Sequence, residues 1–152
     1  TPAELVTSLI TEKGVIMQKS ENSCAAATLA TVLTYGFGDP ISEVSIIKQM
    51  LEQTDHDIVK AQGGFSLLDM KHFVETRGYK GNGYKNLSLE DLNAFRAPII
   101  PLKVFGCNHY VVFNGISHDR VIIADPAFGN RSISKDSFNK QWINGLAFII
   151  TK

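Results

Sequence analysis

Three side chains of this chain have the types expected of a nucleophile, a base and an orienting acid. Cys24 opens an apolar, alanine-rich stretch, 24–33, whose pattern predicts a helix. At a helix N-terminus the N–H groups are unpaired and the dipole favours an anion, so a thiol there tends toward its thiolate. His109 begins a β-rich run, and Asp125 ends the next one. This combination predicts nucleophilic acyl transfer by Cys24.

The spacing of His109 and Asp125 makes a prediction about strand register. If the hairpin between them is centred near Ser117, each lies eight residues from the centre. They would then be directly opposite on one sheet face, with Cβ atoms about 4.5–5.5 Å apart. The carboxylate could accept the imidazole N–H and leave the other nitrogen for Cys24. A slip of one residue would send the two side chains to opposite faces.

Gln18 lies six residues before Cys24 and is a candidate donor to an oxyanion. Each of these residues also has a plain structural interpretation. A free cysteine can be a small buried hydrophobe, an aspartate before Pro126 can be a turn residue, and a glutamine can be a surface side chain. Their combination in one chain favours the catalytic interpretation.

No metal, nucleotide or other cofactor is predicted. The chain has two cysteines, too few for a disulfide scaffold or a cysteine-based zinc site. The consecutive residues 55–57, an aspartate, a histidine and an aspartate, predict a solvated helix end rather than a metal site, because adjacent side chains seldom converge on one ion. His72 is predicted on an exposed helix face and His118 in a turn, and the glycine pair 63–64 lacks the pattern of a phosphate loop.

The elements that must position these residues change character along the chain. Helix patterns dominate the first half and strand patterns the second, which predicts an α+β fold with helices packed on one antiparallel sheet. After 24–33, helices are predicted at 42–53, from Ser66, from Ser88 and at 136–143. Strands are predicted at 99–105, 109–116, 121–125, 131–134 and 146–151.

Two of the predicted helices carry an apolar stripe for the core. The stripe of the helix at 42–53 is assigned to Val44, Ile47, Met50 and Leu51. The helix that begins at Ser66 has a capping-box pattern with Asp69, and its buried stripe is assigned to Leu68, Phe73 and Val74.

Composition sets limits on the class of protein. The 152 residues fit a single domain, 1–152, and 15 basic residues balance 15 acidic ones. The chain therefore lacks the net charge that would indicate binding to nucleic acid or to an anionic membrane. No run approaches the roughly 20 apolar residues that cross a bilayer. The first residue is not methionine, so we expect a mature fragment or an excised part of a longer protein.

Several segments resemble the C39 family of cysteine peptidases, whose members cut leader peptides after a double glycine. The similarity covers nearly the whole chain and is carried by the segments 18–27, 64–68, 108–112, 125–129 and 142–145. It implies a papain-like fold, with Cys24 as nucleophile, His109 as general base and acid, Asp125 as orienting carboxylate and Gln18 as oxyanion donor. Ala25 stands where many relatives have glycine, and we expect this to have a small effect.

The resemblance also implies a substrate and a setting. The substrate would be a peptide or protein with a Gly-Gly segment, cut through a thioester acyl-enzyme, and the partner would be a secretion or export system. Such domains occur as the cytosolic N-terminal part of peptide-exporting ABC transporters and as stand-alone exported enzymes. The stretch 33–43 is more similar to the stand-alone members, which favours the bacterial periplasm.

Other functions remain open at this stage. The chain could bind leader peptides without cutting them, or be another papain-like acyl enzyme such as an amidase or transferase, or be a structural domain with an inert cysteine. Cys107, two residues before His109, is either a buried free thiol or a partner that could form a regulatory disulfide with Cys24.

Overall fold

The computed structural model describes residues 14–17, 23–104 and 107–152, with the backbone alone at 107 and 108. The helices of these residues are α1 (Cys24–Thr31), which continues into a π-helical turn (Val32–Gly36), α2 (Glu43–Leu51), α3 (His56–Ala61), α4 (Leu67–Thr76), α5 (Leu89–Asn93) and α6 (Lys135–Gln141). The strands are β1 (Lys80–Tyr84), β2 (Ile99–Val104), β3 (Cys107–Ser117), β4 (Arg120–Asp125), β5 (Gly129–Ser134) and β6 (Ala147–Thr151).

The strands form one antiparallel sheet in the order β1-β6-β2-β3-β4-β5. The predicted α+β class is therefore confirmed, and the predicted strands begin and end within two residues of the observed ones. Strand β1 was not predicted, because its sequence Lys-Gly-Asn-Gly-Tyr lacks the β-branched residues that mark a strand. Its conformation comes from pairing with β6, which is a long-range contact.

Both faces of the sheet are covered, which the sequence pattern did not predict. One face packs against α1 and α4, and the other packs against Leu92 of α5 and Phe138 of α6. Ile99 and Ile100 are adjacent on β2, so they point to opposite faces, and both have no exposed surface. A strand buried on both faces has a continuous apolar sequence rather than an alternating one.

Helix α1 is buried along its whole length, so it is a central helix. Its alanines are at most 1% exposed, and their small side chains let the helix approach β3 closely. Ser23 occupies the N-cap position but makes no side-chain capping hydrogen bond. The tight packing of α1, rather than its cap, therefore fixes the position of Cys24.

The core stripes of two helices differ from the prediction. Val44 is 56% exposed and Leu68 is 58% exposed, so assigning them to the core was wrong. Ile46 and Met50 face the core on α2, and Met70 faces it on α4. Residues four apart share a helix face, so once α2 presents Ile46 and Met50 to the core formed with α1 and α4, Val44 must point to solvent.

The signals at the helix starts were more reliable than the stripes. The predicted capping box of Ser66 and Asp69 is present, with both reciprocal hydrogen bonds. A second capping box, formed by Ser88 and Asp91, begins α5. The acidic and histidine run at 55–57 begins the short helix α3, where the side chain of Asp55 accepts a hydrogen bond from the N–H of Asp57 at 2.7 Å.

The β3–β4 hairpin contains a β-bulge that determines which side chains share a face. The turn lies at His118 and Asp119, both with positive φ, and Ile116 pairs with Val121. Farther from the turn, Phe113 pairs with Ile123, so two residues of β3 lie opposite one residue of β4. The hairpin is therefore not centred at Ser117, and the prediction that His109 and Asp125 lie directly opposite each other was wrong.

The bulge nevertheless keeps His109 and Asp125 on the same face. Val112 pairs with Ala124, and this register continued by one step puts Asp125 level with Val111, two residues from His109. Residues two apart on a strand share a face, so the imidazole and the carboxylate are diagonal neighbours. Without the extra residue Asp125 would be level with Val112, whose side chain points to the opposite face.

Gly115 lies in this bulge with a φ of +111°, a conformation that side chains rarely adopt. We expect Gly115→Ala to lower the free energy of unfolding by about 1–2 kcal/mol through backbone strain. An added Cβ would meet nothing closer than Asn93 Oδ1 at 3.9 Å, so a steric clash would contribute little. Urea denaturation measures the difference.

Gly83→Ala is the matched control for this substitution. Gly83 lies on β1 with open space around its Cα and without a positive φ. It should therefore leave stability unchanged or raise it slightly. Equal unfolding free energies for the two variants would contradict the account of the bulge.

Candidate active site

Cys24 is the first residue of α1 and has a free thiol. The intrahelical hydrogen bonds begin with the N–H of Ala27 to the carbonyl of Ser23 at 2.9 Å, so the N–H groups of the preceding turn have no partner within the helix. A helix N-terminus with unpaired N–H groups favours anions in its vicinity. Only 7% of Cys24 is exposed, so a substrate must be slender to reach it.

His109 and Asp125 meet at the same end of the sheet. His109 Nε2 lies 2.6 Å from Asp125 Oδ1, and the side chains are 14% and 0% exposed. Since Nε2 faces the carboxylate, the other ring nitrogen, Nδ1, is left for the hydrogen bond that His109 makes with Cys24. The structure thus brings together three of the four residues predicted from the sequence.

The surroundings of His109 favour its charged form. Burial by itself lowers the pKa of His109, but hydrogen bonds to Asp125 and Cys24 outweigh it and raise the pKa from 6.5 to about 9. The ring is therefore an imidazolium at neutral pH. Its contribution to stability is fully present below pH 6.5 and is lost as the pH rises through about 9.

Asp125 remains ionised despite having no exposed surface. Burial favours the neutral acid, but hydrogen bonds from His109, the Ala127 N–H and Arg131 hold the pKa of Asp125 below its ordinary value of 3.8. The stability that follows is present above pH 3.8 and is lost as the pH falls through the lowered value. The ion pair of Asp125 with His109 therefore persists over the whole range between these two limits.

Two further side chains, those of Arg131 and Tyr110, belong to the site and were not predicted. Arg131, on β5, contacts the second carboxylate oxygen of Asp125, with Nη2 to Oδ2 at 3.0 Å. The pKa of Tyr110 is raised to about 12, mainly by burial and also by negative charge at Cys24 and Asp69, so its hydroxyl stays protonated. Arg131 could have been found from the tight turn at 126–128, which pairs Asp125 with Gly129 and puts Arg131 on the same face as Asp125.

The fourth predicted residue, Gln18, lies outside the described residues, so its role as oxyanion donor stays a prediction. The proposed bridge from Cys24 to Cys107 also stays a prediction, because only the backbone of Cys107 is described. Within the described part of the chain, no three His, Cys, Asp or Glu side chains are grouped to hold a metal ion. The same residues contain no helix of the length and apolarity needed to span a membrane.

One wall of an apolar hollow of about 350 Å³ is formed by the residue that precedes Cys24. It is lined by Ser23, Ile47, Leu51, Val59 and Phe65 together with the basic side chains His56 and Lys60. Its size and apolar walls suit one or two aliphatic side chains.

Comparison with known proteins gives a family and several relatives. The family model described as "Peptidase C39 family" matches residues 12–152. A Pseudomonas fluorescens protein named "Probable functional amyloid protease FapD" is 38% identical over 137 residues, which are 90% of this chain and 59% of that protein. The chain thus spans about three-fifths of the length of this curated relative.

Two solved structures with the same fold are peptidase domains of transporters. The peptidase domain of Streptococcus ComA, a bi-functional ABC transporter involved in quorum sensing, gives a TM-score of 0.73 at 24% identity, over 90% of this chain and 96% of that chain. A double glycine motif protease from an AMS/PCAT transporter, in complex with its leader peptide, gives a TM-score of 0.71 at 25% identity, over 90% and 89% of the two chains. The predicted papain-like fold is confirmed by these matches.

Proposed function

Because the chain belongs to the peptidase C39 family of cysteine peptidases, we propose that it cuts a peptide or protein substrate after a Gly-Gly segment. The observation that carries this proposal is the pair of hydrogen bonds that joins Cys24 to His109 and His109 to Asp125. Such an arrangement supplies a nucleophile and a proton donor in one place. A domain that only binds peptides has no need of it, which favours an enzyme over the non-cleaving alternative.

The proposed mechanism uses each of these residues at a stated atom. Cys24 Sγ attacks the scissile carbonyl, and the oxyanion accepts hydrogen bonds from the backbone N–H of Cys24 and the amide of Gln18. His109 Nδ1 donates a proton to the leaving amine, and Asp125 holds the ring through Nε2. Water activated by His109 then hydrolyses the thioester and releases the acid product.

The burial of the nucleophile supports selectivity for glycine. Cys24 is 7% exposed, so a substrate must bring its backbone close to the protein to reach the sulfur. Glycine residues on the acyl side of the bond allow the closest approach, because they have no side chain. The apolar hollow beside Ser23 could hold aliphatic side chains of the same substrate farther from the cut.

The relatives support a link with protein export. One structural neighbour was solved with its leader peptide, and the Pseudomonas fluorescens relative is named as a functional amyloid protease. We therefore propose an exported substrate, either a leader-bearing peptide or a component of a functional amyloid system. The periplasm remains our preferred location, and the cytosolic face of a transporter is the alternative.

We expect the purified chain to cleave a synthetic leader peptide after its second glycine, and mass spectrometry of the products locates the cut. Replacing that glycine by alanine should lower kcat/KM by about 10²-fold, because a methyl group hinders the approach of the scissile bond to the buried sulfur. A control peptide with alanine at a position outside the Gly-Gly pair should be cleaved at the original rate.

Other outcomes would change the proposed function. No cleavage of any Gly-Gly peptide, or cleavage unaffected by the alanine, would remove the double-glycine specificity. Transfer of the acyl group to an added amine in preference to water would indicate an amidase or transferase instead.

A further inference from the structure

Arg131 occupies the oxygen of Asp125 that His109 leaves free. Its Nε and Nη2 both lie 3.0 Å from Asp125 Oδ2, whereas His109 Nε2 is 2.6 Å from Oδ1. The N–H groups of Ala127 and Phe128 also donate to Oδ1, at 2.8 and 3.3 Å. The two oxygens of the carboxylate therefore have separate sets of partners.

These separate contacts fix the rotation of the carboxylate. A carboxylate with equivalent partners on both oxygens can turn about its Cβ–Cγ bond, and the acceptor for His109 would turn with it. Two guanidinium donors on Oδ2 oppose this rotation, because charge-assisted hydrogen bonds are strong and directional. Arg131 itself is held against the ring of Phe128, with its guanidinium carbon 5.6 Å from the ring centroid.

The geometry also places the three charged groups in one row across the sheet. His109 lies on β3, Asp125 on β4 and Arg131 on β5, and each is diagonal to the next on the same face. The charged groups that face Asp125 are thus His109 and Arg131, and Cys24 on α1 reaches the row through His109. Removing Arg131 would leave a fully buried carboxylate with a single cationic partner.

We propose that Arg131 is a positioning residue for the peptidase reaction, which orients and keeps ionised the carboxylate that holds His109. This inference rests on the proposed function and adds to it a residue that acts through Asp125 without touching the substrate. Arg131 therefore contributes to the chemical step and leaves the binding of the substrate unchanged.

The test compares Arg131→Met and Arg131→Lys with the wild type. Arg131→Met should lower kcat about tenfold with KM unchanged, as expected for losing hydrogen bonds to a charged group. The acid limb of its pH–kcat profile should move to higher pH, since Asp125 becomes protonated more readily without the arginine. Arg131→Lys should recover part of kcat, because its ammonium group can still pair with Oδ2.

Arg120→Met is the matched control. Arg120 lies on β4, is exposed, and donates to the side chain and carbonyl of Ser132 on β5 at 2.9 and 3.1 Å, away from the row. Its loss removes an arginine that joins the same two strands and should leave kcat and the acid limb unchanged. Thermal unfolding of each variant gives the fraction folded at the assay temperature.

A readout without a substrate separates this proposal from the proposed function. The rate at which iodoacetamide alkylates Cys24 is measured against pH by mass spectrometry of the peptide that contains Cys24. The acid limb of this profile should also move to higher pH in Arg131→Met. Wild-type kcat with an unmoved acid limb in both assays would overturn the proposal. So would a loss that Arg120→Met shares, or one fully accounted for by the unfolded fraction.

Discussion

Replacement of Cys24 by alanine is expected to lower peptide cleavage by a factor on the order of 10⁴ or more, because it removes the thiol that forms the thioester. Alanine is the best helix former and Cys24 begins a buried helix, so the variant should fold normally. The measurement is kcat/KM on a Gly-Gly peptide, with circular dichroism and thermal unfolding to verify the fold.

Cys24→Ser is the isosteric companion of the alanine variant. Its hydroxyl occupies the place of the thiol but is far less acidic, so we expect residual cleavage close to that of the alanine variant. Both variants should still bind the substrate peptide with an affinity near that of the wild type. Cleavage by Cys24→Ala at more than a few per cent of the wild-type rate would show that the nucleophile lies elsewhere.

Replacement of His109 by alanine should lower kcat by a factor on the order of 10³ or more, since it removes both the partner of the sulfur and the acid for the leaving amine. In the wild type, the pKa of about 9 predicts that His109 keeps its proton at neutral pH. Activity should therefore fall as the pH rises through about 9, where the ring can no longer protonate the amine. A pH series of kcat measures this alkaline limb.

His72→Ala is the matched control for His109. His72 is exposed on α4 and belongs to no contact of the site, so its loss should leave both kcat and the alkaline limb unchanged. Should the alkaline limb persist at the same pH in a His109→Ala variant that is still active, a group other than His109 must control it.

Much of the fold could be predicted because its signals are local. The capping box of Ser66 and Asp69 needs only four consecutive residues, and the change from helix to strand patterns near Pro98 is visible in composition. Strand β1 and the covering of both sheet faces depend on contacts far apart in sequence. Val44 and Leu68 were misassigned because they lie near the starts of their helices, at the edge of the apolar stripe. An apolar side chain there can face either the core or the solvent.

The residues of the site could be predicted by type but not by geometry. The sequence indicated that Cys24, His109 and Asp125 belong together, and they do meet in the structure. The exact pairing could not be predicted, because two departures from the assumed hairpin act in opposite directions. The turn at His118 and Asp119 alone would put His109 and Asp125 on opposite faces, and the bulge at Gly115 returns them to the same face.

The most direct test of the account is the titration of His109 by nuclear magnetic resonance of the labelled imidazole. We expect a pKa of about 9 in the wild type, and lower values in Cys24→Ala and in Asp125→Asn, since each loses one of the two contacts that raise it. A ring that titrates near its ordinary value of 6.5, and does so equally in all three proteins, would contradict the claim that sulfur, imidazole and carboxylate act as one unit.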